Sequence, residues 1–224
     1  MNTDGSWQVI RQRGDAATFH GRDLPDPPGR ELWLFEVSRP ALVLGSARRD
    51  QAYLDTELAA ANGIEIVRRR SGGAAVLLEP GQVVWADVIV PRHDSLWLDD
   101  IGRATWWVGH WWQRALAALG VASAVHQGAM VPGPWSDRLC FAGLGPGEVL
   151  IGGRKAVGVA QRRTRHGARF QTCALRQWDP TLLAALCGVT PLGQPLDDAL
   201  VGAAVGLAGV TAGAVETALI ASLP

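Results

Sequence analysis

The sequence predicts an α+β domain, a mixed β-sheet packed with helices, and three observations carry that reading. Short apolar runs of strand length recur through residues 31–91 and 147–175. A long segment from Asp99 to Leu119 spaces its apolar residues as a helix does. Strand and helix patterns follow one another without the regular alternation that builds a parallel sheet. With 48% apolar and 19% charged residues, the 224-residue chain can bury a core of domain size.

The elements follow in order. After the Pro-rich stretch LPDPPGRE (24–31), ELWLFEV (31–37) and PALVLGSA (40–47) read as strands. Asp50 to Asn62 reads as a helix with Tyr53, Leu54, Leu58 and Ala61 on one side and Gly63 as its stop. IEIVRR (64–69) is a strand that runs into Ser71-Gly72-Gly73, and residues 74–91 look like a hairpin turning at Pro80-Gly81. In the 99–119 helix, Trp107/Trp111 and Val108/Trp112 are i,i+4 pairs, so its tryptophans read as core. Residues 121–127, 147–152, 154–161 and 168–175 are short strands between Gly-containing turns. From Asp179 the chain turns Ala/Leu-rich, which suggests two or three short helices. The expected division is a domain over 1–178 with a helical C-terminal appendage over 179–224.

Composition excludes several roles. Formal charge is zero, with 21 basic against 21 acidic residues, which argues against broad electrostatic binding of nucleic acid or an anionic membrane. The N-terminus shows no signal-peptide pattern, and no apolar run is long enough to span a bilayer. Three widely spaced cysteines, Cys140, Cys173 and Cys187, fit free thiols in the cytoplasm rather than a zinc knuckle or redox pair. The five histidines form no ligand-spaced pair, so no metal site is expected.

Three features could carry chemistry. RRRSGGAAV (68–76) ends a strand in arginines and follows with glycines, where a phosphate or carboxylate could approach exposed backbone N–H groups. The residues alone leave an ordinary basic strand end equally open. It is neither a Walker loop, lacking Gly-Lys-Ser/Thr, nor a dinucleotide fingerprint, since its glycines open no helix. Lys155, in GGRKAVGVAQRR (152–163), is the only lysine among 21 basic residues. An arginine-biased chain explains why lysines are rare, and a surface residue remains an alternative. A lysine differs from arginine where a compact, rotatable ammonium is needed. Cys140, in DRLCFAGLGPGE, has Arg138 and a Gly-rich loop nearby, which suits a reactive thiol, although a small buried hydrophobe is the usual fate of a lone cysteine.

Together these features resemble the lipoate–protein ligase and octanoyltransferase family, which shares its catalytic domain with biotin–protein ligases. The resemblance covers about Pro40 to Leu175. The family's Arg-Arg-x-Ser-Gly-Gly-Gly-Ala-Val signature matches Arg68-Arg69-Arg70-Ser71-Gly72-Gly73-Ala74-Ala75-Val76, with Ala74 in place of the third glycine. Its Arg-Lys-(hydrophobic)-x-Gly-x-Ala signature matches Arg154-Lys155-Ala156-Val157-Gly158-Val159-Ala160. The resemblance implies a biotin/lipoate protein ligase-like catalytic domain with a tunnel for an eight-carbon acyl chain. It implies that Lys155 contacts the acyl carbonyl, and that Arg69 and Arg70 with the Ser71–Leu77 backbone bind the nucleotide side, with Gly158 and Ala160 lining the site.

The implied substrates are lipoate or octanoate, with ATP and Mg for a ligase that works through an acyl adenylate. The implied partner is a lipoyl-acceptor domain. Besides Ala74, three departures qualify the match. The family's acidic N-terminal helix is not recognisable in residues 1–35, Pro80-Gly81-Gln82 is closer to the octanoyltransferase branch, and the ligases' Asn-Asp pair is replaced by Cys140-Phe141. That last pair is similar to the Cys-Phe of octanoyltransferases, which take the acyl group from acyl carrier protein onto a cysteine thioester. A non-catalytic lipoate-binding paralogue is the remaining alternative.

Overall fold

A computed structural model describes residues 6–46 and 52–224. The N-terminal stretch holds two elements that the sequence pattern did not suggest: strand β1 (Gln8–Gly14) and helix α1 (Ala16–Gly21). Asp15 caps α1, its carboxylate accepting from Thr18 N at 2.7 Å and Thr18 Oγ1 at 2.9 Å. Strands β2 (Glu31–Val37), β3 (Ala41–Leu44) and β4 (Glu65–Arg68) fall in their expected segments. Helix α2 (Thr56–Ala61) starts late because Asp55 caps it, accepting from Leu58 N at 2.8 Å. Asp50 and Gln51, where that helix was expected to begin, lie outside the described residues.

The remaining elements are β5 (Val76–Leu78), β6 (Val83–Pro91), α3 (Trp106–Ala118), β7 (Ala124–Val125), β8 (Val149–Ile151), β9 (Arg154–Arg163), β10 (Gly167–Leu175), α4 (Thr181–Leu186), α5 (Asp198–Val201) and α6 (Ala212–Ala221). A short 3-10 turn (Arg103–Thr105) precedes α3, so the helix begins later than Asp99. Asp100 starts that turn, accepting from Arg103 N at 2.9 Å. Seven strands form a sheet in the order β1-β2-β6-β10-β9-β8-β7, in which β1 and β2 run parallel and the other neighbours antiparallel. A second sheet has the order β4-β3-β5, with β3 parallel to β4 and antiparallel to β5. The class is α+β, a mixed sheet packed with helices.

The expected hairpin over 74–91 is a crossing between sheets. Residues 79–82 do form a tight turn, with Gln82 N donating to Glu79 O at 3.0 Å and Gly81 at φ +72°. Yet β5 pairs with β3, while β6 sits between β2 and β10. The reason is burial on both faces. Val84, Ala86, Val88 and Val90 of β6 face Val108, Trp111 and Trp112 of α3, and Val83, Trp85 and Ile89 face the small sheet and Phe19 of α1. A strand covered on both sides loses its polar–apolar alternation, and with it the signal of which partner it pairs with.

The layers therefore stack as α3 with α6, the large sheet, the small sheet with α1, and finally α2 with α4 and α5. The outermost core joins Leu42, Leu44 and Leu77 to Leu183, Leu186 and Leu200. Residues 179–224, set apart by the sequence pattern as an appendage, thus supply side chains to two cores: α4 and α5 here, and Val215 and Leu219 of α6 against α3. They also bridge to β9, where Lys155 N donates to Ala203 O at 3.2 Å and Val205 N donates to Lys155 O at 2.9 Å. No helix among the described residues is long and apolar enough to cross a membrane.

Candidate active site

A cavity of about 320 Å³ opens between the two sheets, a volume suited to a small-molecule acyl group. Its roof is the loop after β4. Arg69 folds back into this loop, its Nε donating to Gly72 O at 3.1 Å and its Nη2 to Ala74 O at 3.2 Å. Gly73 sits at φ +103°, a backbone conformation that favours glycine, and a Cβ there would come within 2.4 Å of Arg69 Nη2 and push the guanidinium aside. The loop is tied to the segment carrying Cys140, because Ala75 N donates to Arg138 O and Cys140 N donates to Ala75 O at 2.8 Å. That pairing sets the half-buried Cys140 Sγ 3.8 Å from Arg69 Nη2.

Lys155 enters from β9 and is only 3% exposed. Its ammonium donates to Cys140 O at 2.7 Å and Gly143 O at 3.1 Å, and pairs with Glu148 Oε2 at 2.7 Å. The ring of Phe141 lies 5.0 Å away, a cation–π contact. All three N–H groups of the ammonium are therefore directed. Glu148 is itself fixed by backbone, accepting from Gly145 N at 2.7 Å and Val159 N at 3.2 Å.

The far wall is built from β6, β10 and α1. Arg169 anchors α1 over the sheet, donating to Phe19 O at 2.9 Å and Arg22 O at 3.0 Å while pairing with buried Asp87 at 2.7 Å. Burial pushes the Asp87 carboxyl up, and the Arg169 guanidinium opposes that shift. This places His20 against Trp85, with ring centres 4.5 Å apart. A buried chain runs from Ser71 Oγ, which donates to Gln171 Oε1 at 2.5 Å, to Gln171 Nε2 at 3.1 Å from His20 Nδ1. Burial, with the charges of Arg69 and Arg169, drives the His20 imidazole down to about 2, so it is neutral. Burial pushes the thiols of Cys173 and Cys187 up to about 12, leaving both protonated and unreactive.

Of the residues singled out by sequence, Lys155, Cys140, Arg69, Gly72, Gly73, Ala74, Val76, Gly158 and Ala160 line this one cavity. Arg70 turns outward to pair with Asp23, and Ser71 hydrogen-bonds Gln171 rather than lining the cavity. Ala75 and Leu77 face the outer core instead, because alternate residues of a strand point to opposite sides. The sequence reading missed Glu148, His20, Trp85 and Gln171 as lining residues. A carboxylate opening the otherwise apolar strand EVLI, seven residues before the sole lysine, was the available signal for Glu148. Among the described residues, no group of three or more His, Cys, Asp or Glu side chains could hold a metal ion.

The fold recurs in solved structures. The Thermoplasma acidophilum protein Ta0514 with bound lipoic acid superposes with a TM-score of 0.71 at 17% identity, over 98% of this chain and 84% of that one. A lipoate–protein ligase A bound with ATP gives 0.69 at 17% identity, over 96% and 83%. A bipartite lipoate protein ligase described with its E2 lipoyl domain, from Thermoplasma acidophilum, gives 0.68 at 16%, over 96% and 80%. At these identities the likeness shows the fold. No curated protein matches the chain by sequence. Residues 9–191 match the model of the lipoyl protein ligase A/B catalytic domain, so the chain belongs to that family of enzymes.

Proposed function

We propose that this protein transfers a lipoyl or octanoyl group to a lysine of a lipoyl-acceptor domain. The observation that carries the reading is the meeting of Lys155, Cys140 and the Gly72–Ala74 loop around one cavity between the sheets. When the acceptor amine attacks the acyl carbon, negative charge develops on the carbonyl oxygen. The Lys155 ammonium, held in a water-poor site, donates to that oxygen. Its bond to Gly143 O is the longest of the three and the one most readily exchanged for the acyl oxygen. The apolar walls of Val76, Leu78 and Trp85 suit an alkyl chain. One structural relative described with its E2 lipoyl domain supports an acceptor domain of that kind here. Three free cysteines suit a reducing, cytoplasmic compartment.

Two routes could supply the activated acyl group. In the ligase route, ATP with Mg activates the free acid as an acyl adenylate, with the loop backbone from Gly72 to Ala74 and Lys155 as its contacts. In the transferase route, the Cys140 thiol attacks the thioester carbonyl of an acyl carrier protein, and its proton passes to the departing carrier sulfur. A new C–S bond forms and the carrier thiol leaves. The acceptor amine then attacks the Cys140 thioester, the amide forms and the cysteine is released. A specific observation favours the second route: Arg69 spends two donors inside the loop and stands beside Cys140 Sγ.

The test is acyl transfer to a lipoyl-acceptor domain read by intact mass, with octanoate or lipoate plus ATP in one series and octanoyl carrier protein in another. Lys155→Arg should reduce transfer from either donor at least about a hundredfold, since a planar guanidinium cannot reproduce the ammonium's three directed bonds. Cys140→Ser should abolish transfer from the carrier protein. Unchanged activity in that variant removes the thioester route, and no transfer from any donor by the wild type removes the proposal.

A further inference from the structure

We propose that Glu148 is the positioning residue of this site, fixing Lys155 as a charged, directed donor for the acyl oxygen. This rests on the acyl-transfer reading and names the residue on which the lysine depends. The side chains of Lys155 and Glu148 are 3% and 5% exposed, so each ion has given up nearly all its water. A buried ammonium without a counter-charge sheds its proton, and a neutral amine stabilises an oxyanion poorly. The carboxylate cannot swing away, because Gly145 N holds Oε2 and Val159 N holds Oε1. Geometry adds to charge. The two 2.7 Å bonds, to Glu148 Oε2 and Cys140 O, fix the rotation of the tetrahedral ammonium. The direction of its third N–H then follows, and that N–H meets Gly143 O at the longer 3.1 Å.

Other titratable groups around the lysine come from separate elements. Cys140 lies in the turn after Leu139, Cys173 on β10, and Arg69 stands beyond the Cys140 sulfur. Glu148 is the carboxylate in contact with Nζ, whereas Asp87 is committed to Arg169. The effect of removing the Glu148 charge is therefore not masked by a second carboxylate contact.

Because the chain has one lysine, growth on lysine labelled with ¹³C at Cε gives a single side-chain signal that reports Lys155 directly. In Glu148→Gln the pH at which this signal moves should fall by about one unit or more relative to wild type. The alkaline limb of acyl transfer should fall with it, and kcat at neutral pH should drop about a hundredfold with KM little changed. Glu148→Asp keeps the charge but is one methylene short. It should restore the titration while kcat stays low, which separates charge from position. An unmoved signal and limb in Glu148→Gln, with wild-type transfer intact, overturns the proposal and spares the acyl-transfer reading. Absence of transfer in the wild type overturns the reading itself. If Glu148→Gln does not fold, Glu148→Asp decides alone, and wild-type kcat in that variant overturns the proposal.

Discussion

An imidazole buried beside two guanidinium groups resists protonation, and His20 stands in that position at the cavity wall. Its folded value of about 2 lies far below the ordinary 6.5, so the unfolded chain binds the extra proton as pH falls. The sign follows from that difference: His20 contributes full stability above pH 6.5 and loses it progressively below, at up to about 1.4 kcal/mol per pH unit. His20→Phe keeps an aromatic ring against Trp85 but cannot titrate. Between pH 6.5 and 5 the wild type should therefore lose about 2 kcal/mol more than the variant in urea unfolding. Identical pH dependence in the two proteins would show that His20 takes up its proton as readily in the fold as in the unfolded chain. Nothing in the sequence around His20 announces this role, because the burial that depresses it, and the charges of Arg69 and Arg169 that add to it, come from residues remote in the chain. Lys155 differs: a solitary lysine in an arginine-biased sequence is conspicuous from composition alone.

The loop from Arg69 to Ala75 behaves as a unit. Gly73 combines a positive φ with a guanidinium 2.4 Å from where a Cβ would lie, whereas Gly72 has open space and no such backbone demand. Gly73→Ala should cost about 1 kcal/mol or more in stability through its backbone alone. It should also displace Arg69 from Cys140 and slow carrier-dependent transfer about tenfold or more. Gly72→Ala should change thermal stability by no more than about 0.5 kcal/mol. Equal melting temperatures for the two variants would contradict this account of the loop. The motif was legible because a strand end, arginines and glycines lie within nine residues. Strand β1 was not, since an edge strand carrying Arg11, Gln12 and Arg13 outward has little apolar periodicity to read.

The layered architecture makes a prediction about the C-terminus. Ending the chain at Trp178 would remove Leu183, Leu186 and Leu200 from the outer core and Val215 and Leu219 from the core beneath α3. At about 1.5–3 kcal/mol per buried aliphatic side chain, the loss rivals the whole stability of a typical domain. It would also strip β9 of its bridge at Lys155. Residues 1–178 alone should therefore lack a cooperative thermal transition by circular dichroism. A folded, acyl-transferring 1–178 fragment would refute the layering argument. Read from residues alone, the chain already declares a mixed α+β domain, an arginine–glycine loop and a singular lysine, because these depend on neighbours a few positions apart. Tertiary structure alone assigns β5 and β6 to different sheets, brings Cys140 to Arg69 across 71 positions and gives Lys155 its carboxylate. Strands buried on both faces look alike in sequence, and a site assembled from separate turns exists only once packing brings those turns together.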